Sequence, residues 1–244
     1  MYTWETRVRY SECGRSKQTG PAVLFDYMQD ACTFQAEELG VGPAFMKARQ
    51  CAWILKSWQA DIARYPGFGE TIRIATWPYD FHGFYGCRNF EITDQTGTVL
   101  VRANSIWVFI DLQKGRPVKI IPEVASAYTL KERLEMEYTD RRVADFESGE
   151  DAIAVLVPEH FIDTNEHMNN TKYILLSEEL LPSDFNAARI RVEYRKAAGC
   201  GDTVYPCILR QKDMISIAIN DRHKKPFAIV EFYRNPSIKE RSRI

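Results

Sequence analysis

An acid, an amide and an imidazole occupy alternate positions in one short polar stretch of the second half of the chain. These residues are Asp163, Asn165 and His167. If the stretch is extended, alternation directs the three side chains to the same side of the backbone. A carboxylate and an imidazole placed together in this way could carry out general acid–base chemistry. The alternative is a structural polar loop, in which the side chain of Asn169 or Asn170 caps the predicted helix that follows.

Other chemistries find less support in the residues. His160, Asp163 and His167 are metal-ligand types, but an extended backbone would place His160 on the opposite side from His167. The sequence contains neither a Gly-x-Ser-x-Gly elbow nor a Gly-x-x-x-x-Gly-Lys-[Ser/Thr] loop. We therefore expect no metal, no organic cofactor, no serine α/β-hydrolase and no P-loop enzyme.

Hydrophobic spacing predicts one long helix followed by four strands in the first half. The helix is predicted over Pro21–Leu39, where apolar residues follow helical spacing up to Gly40. Segments rich in β-branched and aromatic residues then predict an antiparallel meander. Its strands are expected at Ala52–Ile62, Thr71–Trp77, Phe84–Ile92 and Val99–Phe109.

The same order of elements is predicted again after a charged connector, Thr139 to Glu150. The connector indicates a domain boundary, with one unit expected over residues 1–138 and the other over residues 139–244. A helix is predicted over Asn169–Leu181 in the second half. The strands there are expected at Ala152–Val157, Arg189–Arg195, Thr203–Arg210, Ile215–Ile219 and Phe227–Tyr233.

A turn that occurs twice indicates that the two halves are copies of one unit. The run Gly67 to Ile72 has the same glycine, acid and threonine pattern as Gly199 to Val204, and each run follows a predicted strand. The approach to the first helix, Gly14 to Gly20, offers no equivalent of this motif, since it contains neither an acid nor an imidazole. The fold class is therefore α+β, two units in each of which a helix is wrapped by an antiparallel sheet, and the second unit is expected to carry the chemistry.

Composition excludes several function classes. Of the 244 residues 45% are hydrophobic and 27% charged, and the formal net charge is −1, so no overall field favours nucleic acid. We find no apolar run long enough to span a membrane and no signal peptide at the first residues. The six cysteines stand singly, which is typical of reduced thiols in a cytoplasmic protein. We expect a soluble cytoplasmic protein without membrane insertion.

The motif around these polar residues resembles that of the acyl-acyl carrier protein (acyl-ACP) thioesterases. The resemblance rests on Asp-x-Asn-x-His-x-Asn-Asn followed by Lys-Tyr-Ile, on Glu193-Tyr194-Arg195-Lys196, and on the repeated glycine turn. In the first half, Trp53, Trp77-Pro78 and Arg116-Pro117 also fit in kind and order. The resemblance implies a tandem hotdog fold and hydrolysis of the thioester between a fatty acyl chain and the phosphopantetheine arm of its carrier.

The resemblance also implies roles for single residues. Asp163, Asn165 and His167 match the family's catalytic trio. Asp163 would activate the attacking water or attack the carbonyl itself, His167 would transfer a proton or polarise the carbonyl, and Asn165 would hold water or substrate. Backbone N–H groups at the start of the second helix could add to an oxyanion site.

One segment departs from the family pattern. The family has Glu-Cys-Gly where this chain has Ala197-Ala198-Gly199, so the roles of that glutamate and that cysteine cannot be carried over. Cys200 lies close by, but a shift of two residues would misplace a nucleophile by several ångströms. We interpret Cys200 as a turn or buried thiol.

The first half is expected to bind the acyl chain. Val23, Phe25, Met28 and Trp53 are the candidate lining residues; the alternative is that they are ordinary core. Basic residues are candidates to meet an acidic carrier protein. They are Arg141, Arg142, Arg222, Lys224, Lys225, Arg241 and Arg243.

Three questions stay open at this point. Acyl-coenzyme A carries the same pantetheine thioester and is an alternative substrate. A non-catalytic acyl-binding hotdog protein is the alternative from another class, because Ala197 replaces the family's glutamate. The chain could also form a homodimer.

Overall fold

The computed structural model describes residues 1–146 and 148–234, which form two compact units. The first unit contains Met1–Gln59 and Ala63–Arg141. The second contains Ala60–Ile62 and the described residues from Arg142 to Arg234. In the described part of the chain, no helix is long and apolar enough to cross a membrane.

The first unit places a long helix, α1, against an antiparallel sheet. Strands β1, β3, β4 and β5 follow one another in the sheet, with β2 beside β5 and the short β6 also paired to β5. Two short helices, α2 and α3, complete the unit. The elements are β1 (Tyr2–Arg7), α1 (Pro21–Glu38), α2 (Pro43–Ala48), β2 (Cys51–Ile62), β3 (Thr71–His82), β4 (Tyr85–Asp94), β5 (Val99–Asp111), β6 (Arg116–Pro117) and α3 (Pro122–Ala127).

The second unit repeats this arrangement. Its helix α4 packs on strands β11 and β12. The sheet order β9-β12-β11-β10 copies the order β2-β5-β4-β3 of the first unit. The elements are β7 (Glu150–Asp151), β8 (Val155–Leu156), α4 (Asn170–Glu178), β9 (Arg189–Tyr194), β10 (Thr203–Arg210), β11 (Met214–Asn220) and β12 (Pro226–Tyr233).

Helix α1 follows the sequence signals that predict it. Proline stands in its first turn, where the missing N–H costs nothing, and Gly40 after its end has a φ of 71°. Its buried face holds Leu24, Phe25 and Met28, each with 0% of its surface exposed. The predicted strands of the first half are confirmed, and β3, β4 and β5 run a few residues further than predicted.

Two predictions for the second unit are wrong in extent. The helix predicted over Asn169–Leu181 ends earlier, at Glu178. Pro182 disfavours helical backbone at Leu181, so the helix cannot continue to the predicted end. The strand predicted over Ala152–Val157 is reduced to Val155–Leu156. Pro206, in the middle of β10, has no N–H to donate to a neighbouring strand. On that edge β10 therefore pairs only with the two-residue strands β8 and β7, the first before Pro206 and the second after it.

Candidate active site

The polar segment singled out from the sequence forms a tight turn, residues 163–167, between a one-turn 3-10 helix (Glu159–Phe161) and α4. Ile162 and Met168 pair across its base. The N–H of Asp163 donates to the carbonyl of His167 at 2.8 Å, and the N–H of Glu166 donates to the carbonyl of Asp163 at 3.0 Å. We call this segment the 163–167 turn.

The expectation that alternation in an extended strand aligns Asp163, Asn165 and His167 is wrong. The side-chain Oδ1 of Asp163 accepts the N–H of Asn165 at 2.8 Å, which closes an Asx turn. Glu166 takes a left-handed conformation with a φ of 63°. The three residues are therefore held together by the hydrogen bonds of a turn rather than by the two-residue repeat of a strand.

The turn leaves reactive atoms open. Asp163 is half-buried, whereas Asn165 and His167 are exposed. Among the described residues, no hydrogen-bond partner occupies Oδ2 of Asp163 or the side chains of Asn165 and His167. A fixed carboxylate with one open oxygen, on the same turn as an open imidazole and an open amide, can exchange protons with a small bound molecule.

The start of α4 is capped by Asn169, as the structural alternative predicted. Oδ1 of Asn169 accepts the N–H of Thr171 at 3.0 Å, and its carbonyl accepts the N–H of Lys172 at 2.9 Å. The N–H of Asn170 has no acceptor in the described part of the chain. The cap and the polar turn coexist, and one backbone donor is left at the helix start.

The backbone of Ala198 anchors the 163–167 turn. Its carbonyl accepts the N–H of Met168 at 2.8 Å, and its N–H donates to the hydroxyl of Tyr173 at 2.9 Å. Ala198 is fully buried, while its neighbour Ala197 is exposed. The hydroxyl of Tyr194, at the end of β9, donates to the carbonyl of Asn170 at 2.9 Å.

Sequence reasoning missed these two tyrosines. Hydrophobic spacing in the predicted helix and strand treats Tyr173 and Tyr194 only as apolar core residues. In the structure their rings pack edge to face with centroids 5.8 Å apart. Burial raises the pKa of Tyr173 to about 12, so its hydroxyl stays neutral at physiological pH. A tyrosine just inside the helix that follows a polar turn is the signal that could have indicated such an anchor.

Cys200 does not have the environment of a nucleophile. It is exposed, and a hydrogen bond to Glu159 raises the pKa of its thiol. A thiol with a raised pKa is mostly protonated near neutral pH and reacts poorly. His160, the other residue considered nearby, packs its ring edge-on against Phe161. Within residues 1–146 and 148–234, no group of three acidic, histidine or cysteine side chains could hold a metal.

The first unit contains the same turn without its reactive side chains. The N–H of Gly14 donates to the carbonyl of Gln18 and the N–H of Lys17 to the carbonyl of Gly14, each at 3.0 Å. Lys17 is left-handed like Glu166, and Cys13 pairs with Thr19 across the base. Gly14, Ser16 and Gln18 stand where the second unit has its acid, amide and imidazole. The two turns therefore share their backbone hydrogen bonds and differ in their side chains.

The four residues predicted to bind an acyl chain lie in two places in the first unit. Val23 is half-buried on α1, and the rings of Phe25 and Trp58 meet edge to face at 5.4 Å. Trp53 is half-buried in β2 and stacks on Phe81 at 5.9 Å. It packs against an apolar cluster whose buried members are Val41, Met46, Cys51, Phe109, Ile120, Val124 and Tyr128.

The candidate basic residues differ in their surroundings. Arg141 lies over the ring of Tyr85 at 5.4 Å, and the carbonyl of Arg142 accepts a hydrogen bond from Arg191 at 2.8 Å. Arg222, Lys224 and Lys225 are exposed in the turn between β11 and β12. Arg241 and Arg243 lie outside the described residues.

Two family models match the chain in succession. The model described as the acyl-ACP thioesterase N-terminal domain matches residues 1–128. The model described as the acyl-ACP thioesterase C-terminal domain matches residues 150–226.

Curated relatives are similar over most of the chain. A chloroplastic acyl-acyl carrier protein hydrolase of Cuphea viscosissima is 26% identical over 217 residues, which are 79% of this chain and 50% of the relative. A chloroplastic dodecanoyl-acyl carrier protein hydrolase of Cinnamomum camphora is 26% identical over 212 residues, 78% of this chain and 54% of the relative. The chain spans about half the length of the curated relatives it matches.

Solved structures share the fold. An acyl-ACP thioesterase of Bacteroides thetaiotaomicron superposes with a TM-score of 0.87 at 18% identity, over 95% of this chain and 96% of that one. A 12:0-ACP thioesterase of Umbellularia californica gives a TM-score of 0.81 at 20% identity, over 95% and 96%. The predicted tandem hotdog fold of class α+β is confirmed.

The anchor at Ala198 can be tested with Tyr173→Phe. The substitution leaves the buried N–H of Ala198 without an acceptor, so we expect the free energy of unfolding to fall by about 1–3 kcal/mol and the Ala198 amide to exchange faster with solvent. Denaturant unfolding and amide hydrogen exchange measure the two effects. Tyr205→Phe, at a 41% exposed position, is the control and should change neither.

The same anchor predicts a pH dependence. The pKa of Tyr173 is raised from 10.0 to about 12, so its contribution to stability is fully present below pH 10 and is lost as the pH rises towards 12. The difference in unfolding free energy between the unsubstituted protein and Tyr173→Phe should shrink over that range. A difference that stays constant to pH 12 would contradict the assignment of the anchor to the neutral hydroxyl.

Proposed function

Since the chain belongs to the acyl-ACP thioesterase family, we propose that it hydrolyses the thioester of fatty acyl-ACP and releases the free fatty acid in fatty acid biosynthesis. The observation that carries the proposal is the 163–167 turn. It presents Asp163, Asn165 and His167 with open polar atoms in the second unit, and the equivalent turn of the first unit has none of these residue types.

The turn suits water-mediated hydrolysis. Asp163 is oriented by the Asn165 N–H at its Oδ1, so Oδ2 is available to take the proton of the attacking water. The water oxygen bonds to the thioester carbonyl carbon, and the carbon–sulfur bond then breaks. The departing thiolate takes its proton from His167. The N–H of Asn170 and the amide of Asn165 are the donors we assign to the developing oxyanion.

Asp163 has to act without a second carboxylate at position 197. Ala197 is exposed, and its methyl group can neither accept a proton nor orient water. Asp163 is therefore the residue that must act as base or nucleophile. It either activates water or attacks the carbonyl directly, which breaks the carbon–sulfur bond, releases the thiolate and forms an anhydride that water then hydrolyses. Neither route requires a metal or an organic cofactor.

We assign acyl-chain binding to the first unit. Phe25 and Met28 lie on the buried face of α1. Val23 and Trp53 are half-buried, and Trp53 packs against the apolar cluster. A hydrocarbon chain gains about 0.8 kcal/mol for each methylene that such surroundings remove from water. The size of these side chains then sets how many methylenes fit.

We assign carrier docking to the turn Asp221–Lys225, here called the basic turn. Oδ2 of Asp221 pairs with Lys196, and Oδ1 accepts the N–H groups of His223 and Lys225. These contacts hold the pKa of Asp221 well below its usual range, so its charge is balanced locally. Arg222, Lys224 and Lys225 remain as exposed positive charges for an acidic carrier.

The segment Lys196–Ala198 connects the basic turn to the base of the 163–167 turn within the second unit. Lys196 pairs with Asp221, and its N–H donates to the carbonyl of Phe227 at 3.2 Å. Two residues further along, Ala198 holds Met168 at the base of the 163–167 turn. A carrier bound to the basic turn would thus bring its phosphopantetheine arm beside the reactive residues.

Location and assembly stay predictions from the sequence. The curated plant relatives are named as chloroplast proteins, whereas we expect this chain in the cytoplasm. A homodimer is open to measurement by light scattering.

Thiol release from acyl-ACP tests the reactive residues. Asp163→Asn and His167→Ala should each lower kcat at least about 100-fold, because each removes a proton-transfer group while the turn's backbone hydrogen bonds remain. Gln18→Ala, at the position equivalent to His167 in the first unit, is the matched control and should keep full turnover. Acyl binding without any release by the unsubstituted protein would instead establish an acyl-binding protein.

A second prediction concerns acyl-chain length. Met28→Ala enlarges the space beside Phe25, so the preferred acyl chain should become longer by about two methylenes or more. The measurement is kcat/KM over acyl-ACP of increasing length. Ile174→Ala, which empties a similarly buried position in the second unit, should lower stability and leave the length profile unchanged. An unchanged profile for both Met28→Ala and Trp53→Ala would exclude these residues from the acyl site.

A third prediction separates carrier protein from coenzyme A. The double substitution Lys224→Glu and Lys225→Glu should raise KM for acyl-ACP about 10-fold at low salt and leave KM for acyl-coenzyme A unchanged. The effect should shrink as salt rises, because screening shortens the reach of surface charges to about 8 Å at 0.15 M. Lys212→Glu, in the turn at the opposite end of β11, is the control. Equal effects on both substrates would argue against carrier docking at the basic turn.

A further inference from the structure

Three arginines are buried in the described part of the chain, and they differ in how their charge is balanced. Arg189 and Arg191 are each 3% exposed and each meets a carboxylate. Nη2 of Arg189 lies 3.0 Å from Oδ2 of Asp61, and Nη1 of Arg191 lies 2.9 Å from Oε2 of Glu231. Arg88, on β4 of the first unit, is 6% exposed and forms no ion pair with any residue in 1–146 or 148–234.

The hydrogen bonds of Arg88 go only to neutral groups and use only one of its nitrogens. Nη1 donates to Oε1 of Gln35 at 2.6 Å and to Oγ1 of Thr76 at 3.0 Å. Nε and Nη2 have no acceptor among the described residues. In Arg189 that same Nε and Nη2 edge binds the two oxygens of Asp61. The Nε and Nη2 edge of Arg88 is therefore open. This edge of a guanidinium can bind the two oxygens of a carboxylate through two parallel hydrogen bonds.

An unbalanced buried charge is costly, and neutral hydrogen-bond partners offset only part of that cost. Gln35 and Thr76 hold the guanidinium in place without supplying negative charge. An anion that binds from outside the chain would balance the positive charge of an arginine buried in this way. The guanidinium is the side chain best suited to take a planar carboxylate in this setting.

The neighbours of Arg88 are apolar on two sides. Its guanidinium lies over the ring of Tyr128 at 5.4 Å, and Tyr128 belongs to the apolar cluster described above. Two residues along β4, on the same face of the strand, the ring of Phe90 packs on Trp58 at 4.8 Å. Trp58 in turn contacts Phe25 on α1. A cation next to such surfaces suits a ligand with a carboxylate head and a hydrocarbon tail.

We propose that Arg88 is the carboxylate-binding residue of a long-chain carboxylate site in the first unit. The Nε and Nη2 groups bind the two carboxylate oxygens, and the alkyl chain lies along the neighbouring aromatic and aliphatic side chains. Two ligands share this chemistry. One is a free fatty acid, which is also the product of the proposed reaction, and the other is an acyl chain that carries a second carboxylate at its far end. The site does not depend on turnover by the second unit.

The binding experiment uses the full chain and dodecanoate below its micelle concentration, with dodecanol as the uncharged probe. Calorimetry should show dodecanoate binding that weakens at least 10-fold in Arg88→Met, while the affinity for dodecanol stays the same in both proteins. Arg88→Lys should restore only part of the affinity, because an ammonium cannot form the two parallel bonds. Arg102→Met, an exposed position on the neighbouring strand β5, is the matched control. Equal dodecanoate affinity in the unsubstituted protein and in Arg88→Met would overturn the proposal.

Stability separates a ligand-binding arginine from a structural one. Without ligand, Arg88→Met should unfold at a denaturant concentration no lower than that of the unsubstituted protein, since methionine removes an unbalanced charge and keeps the bulk. Dodecanoate should raise the Tm of the unsubstituted protein and not that of Arg88→Met. An Arg88→Met protein that is strongly destabilised, together with an unsubstituted protein whose Tm ignores dodecanoate, would show Arg88 to be structural and refute the site.

The two sources of carboxylate are told apart by a third measurement. If the site serves substrates, KM for an ACP thioester of dodecanedioic acid should rise at least 10-fold in Arg88→Met, with KM for dodecanoyl-ACP unchanged. If the site serves free fatty acid, both KM values stay the same and only dodecanoate binding is lost. Binding is measured without turnover, in Asp163→Asn as well as in the unsubstituted protein, so a failure of the thioesterase proposal leaves this test intact.

Discussion

The two backbone hydrogen bonds of Ala198 are the constraint on which the candidate site depends. Its carbonyl holds the N–H of Met168 at the base of the 163–167 turn, and its N–H is held by the hydroxyl of Tyr173 in α4. Ala198 thus ties the segment after β9 to both the turn and the helix. A buried backbone group has to find a partner, and both polar groups of Ala198 find theirs at the site, so the reactive residues are fixed by main-chain geometry.

Duplication explains why the two units share a frame and differ in chemistry. Each has a one-turn 3-10 helix, which is Tyr10–Glu12 in the first unit and Glu159–Phe161 in the second. A turn with a left-handed residue follows, closed by the same pair of hydrogen bonds, and then a helix. These features depend on backbone hydrogen bonds and on one residue with a positive φ, Lys17 or Glu166. The other side chains of the turn can therefore differ between the two units. The first unit has Gly14, Ser16 and Gln18 there, and the second has an acid, an amide and an imidazole. In our proposals the first unit binds hydrocarbon and carboxylate, and the second hydrolyses the thioester.

Most of the fold and part of the site could be predicted from residue patterns. Helix α1 and strands β2 to β5 follow local signals, namely spacing, proline and glycine, that act within a few residues. The short strands beside β10 could not be predicted, because their extent depends on Pro206 in a partner strand about fifty residues away. The extended backbone considered for Asp163, Asn165 and His167 is wrong, since an Asx turn and not a strand holds them.

What the sequence by itself determined is the type and order of the elements, the duplication, the family and the residues able to transfer protons. Those depend on local periodicity and on residue chemistry, which are readable along one chain. Only the tertiary structure decided that Tyr173 anchors Ala198, that Asp221 is balanced by Lys196, and that Arg88 has no carboxylate where Arg189 and Arg191 each have one. Whether a polar group is satisfied depends on partners distant in the chain, so burial and hydrogen bonding in three dimensions decide it.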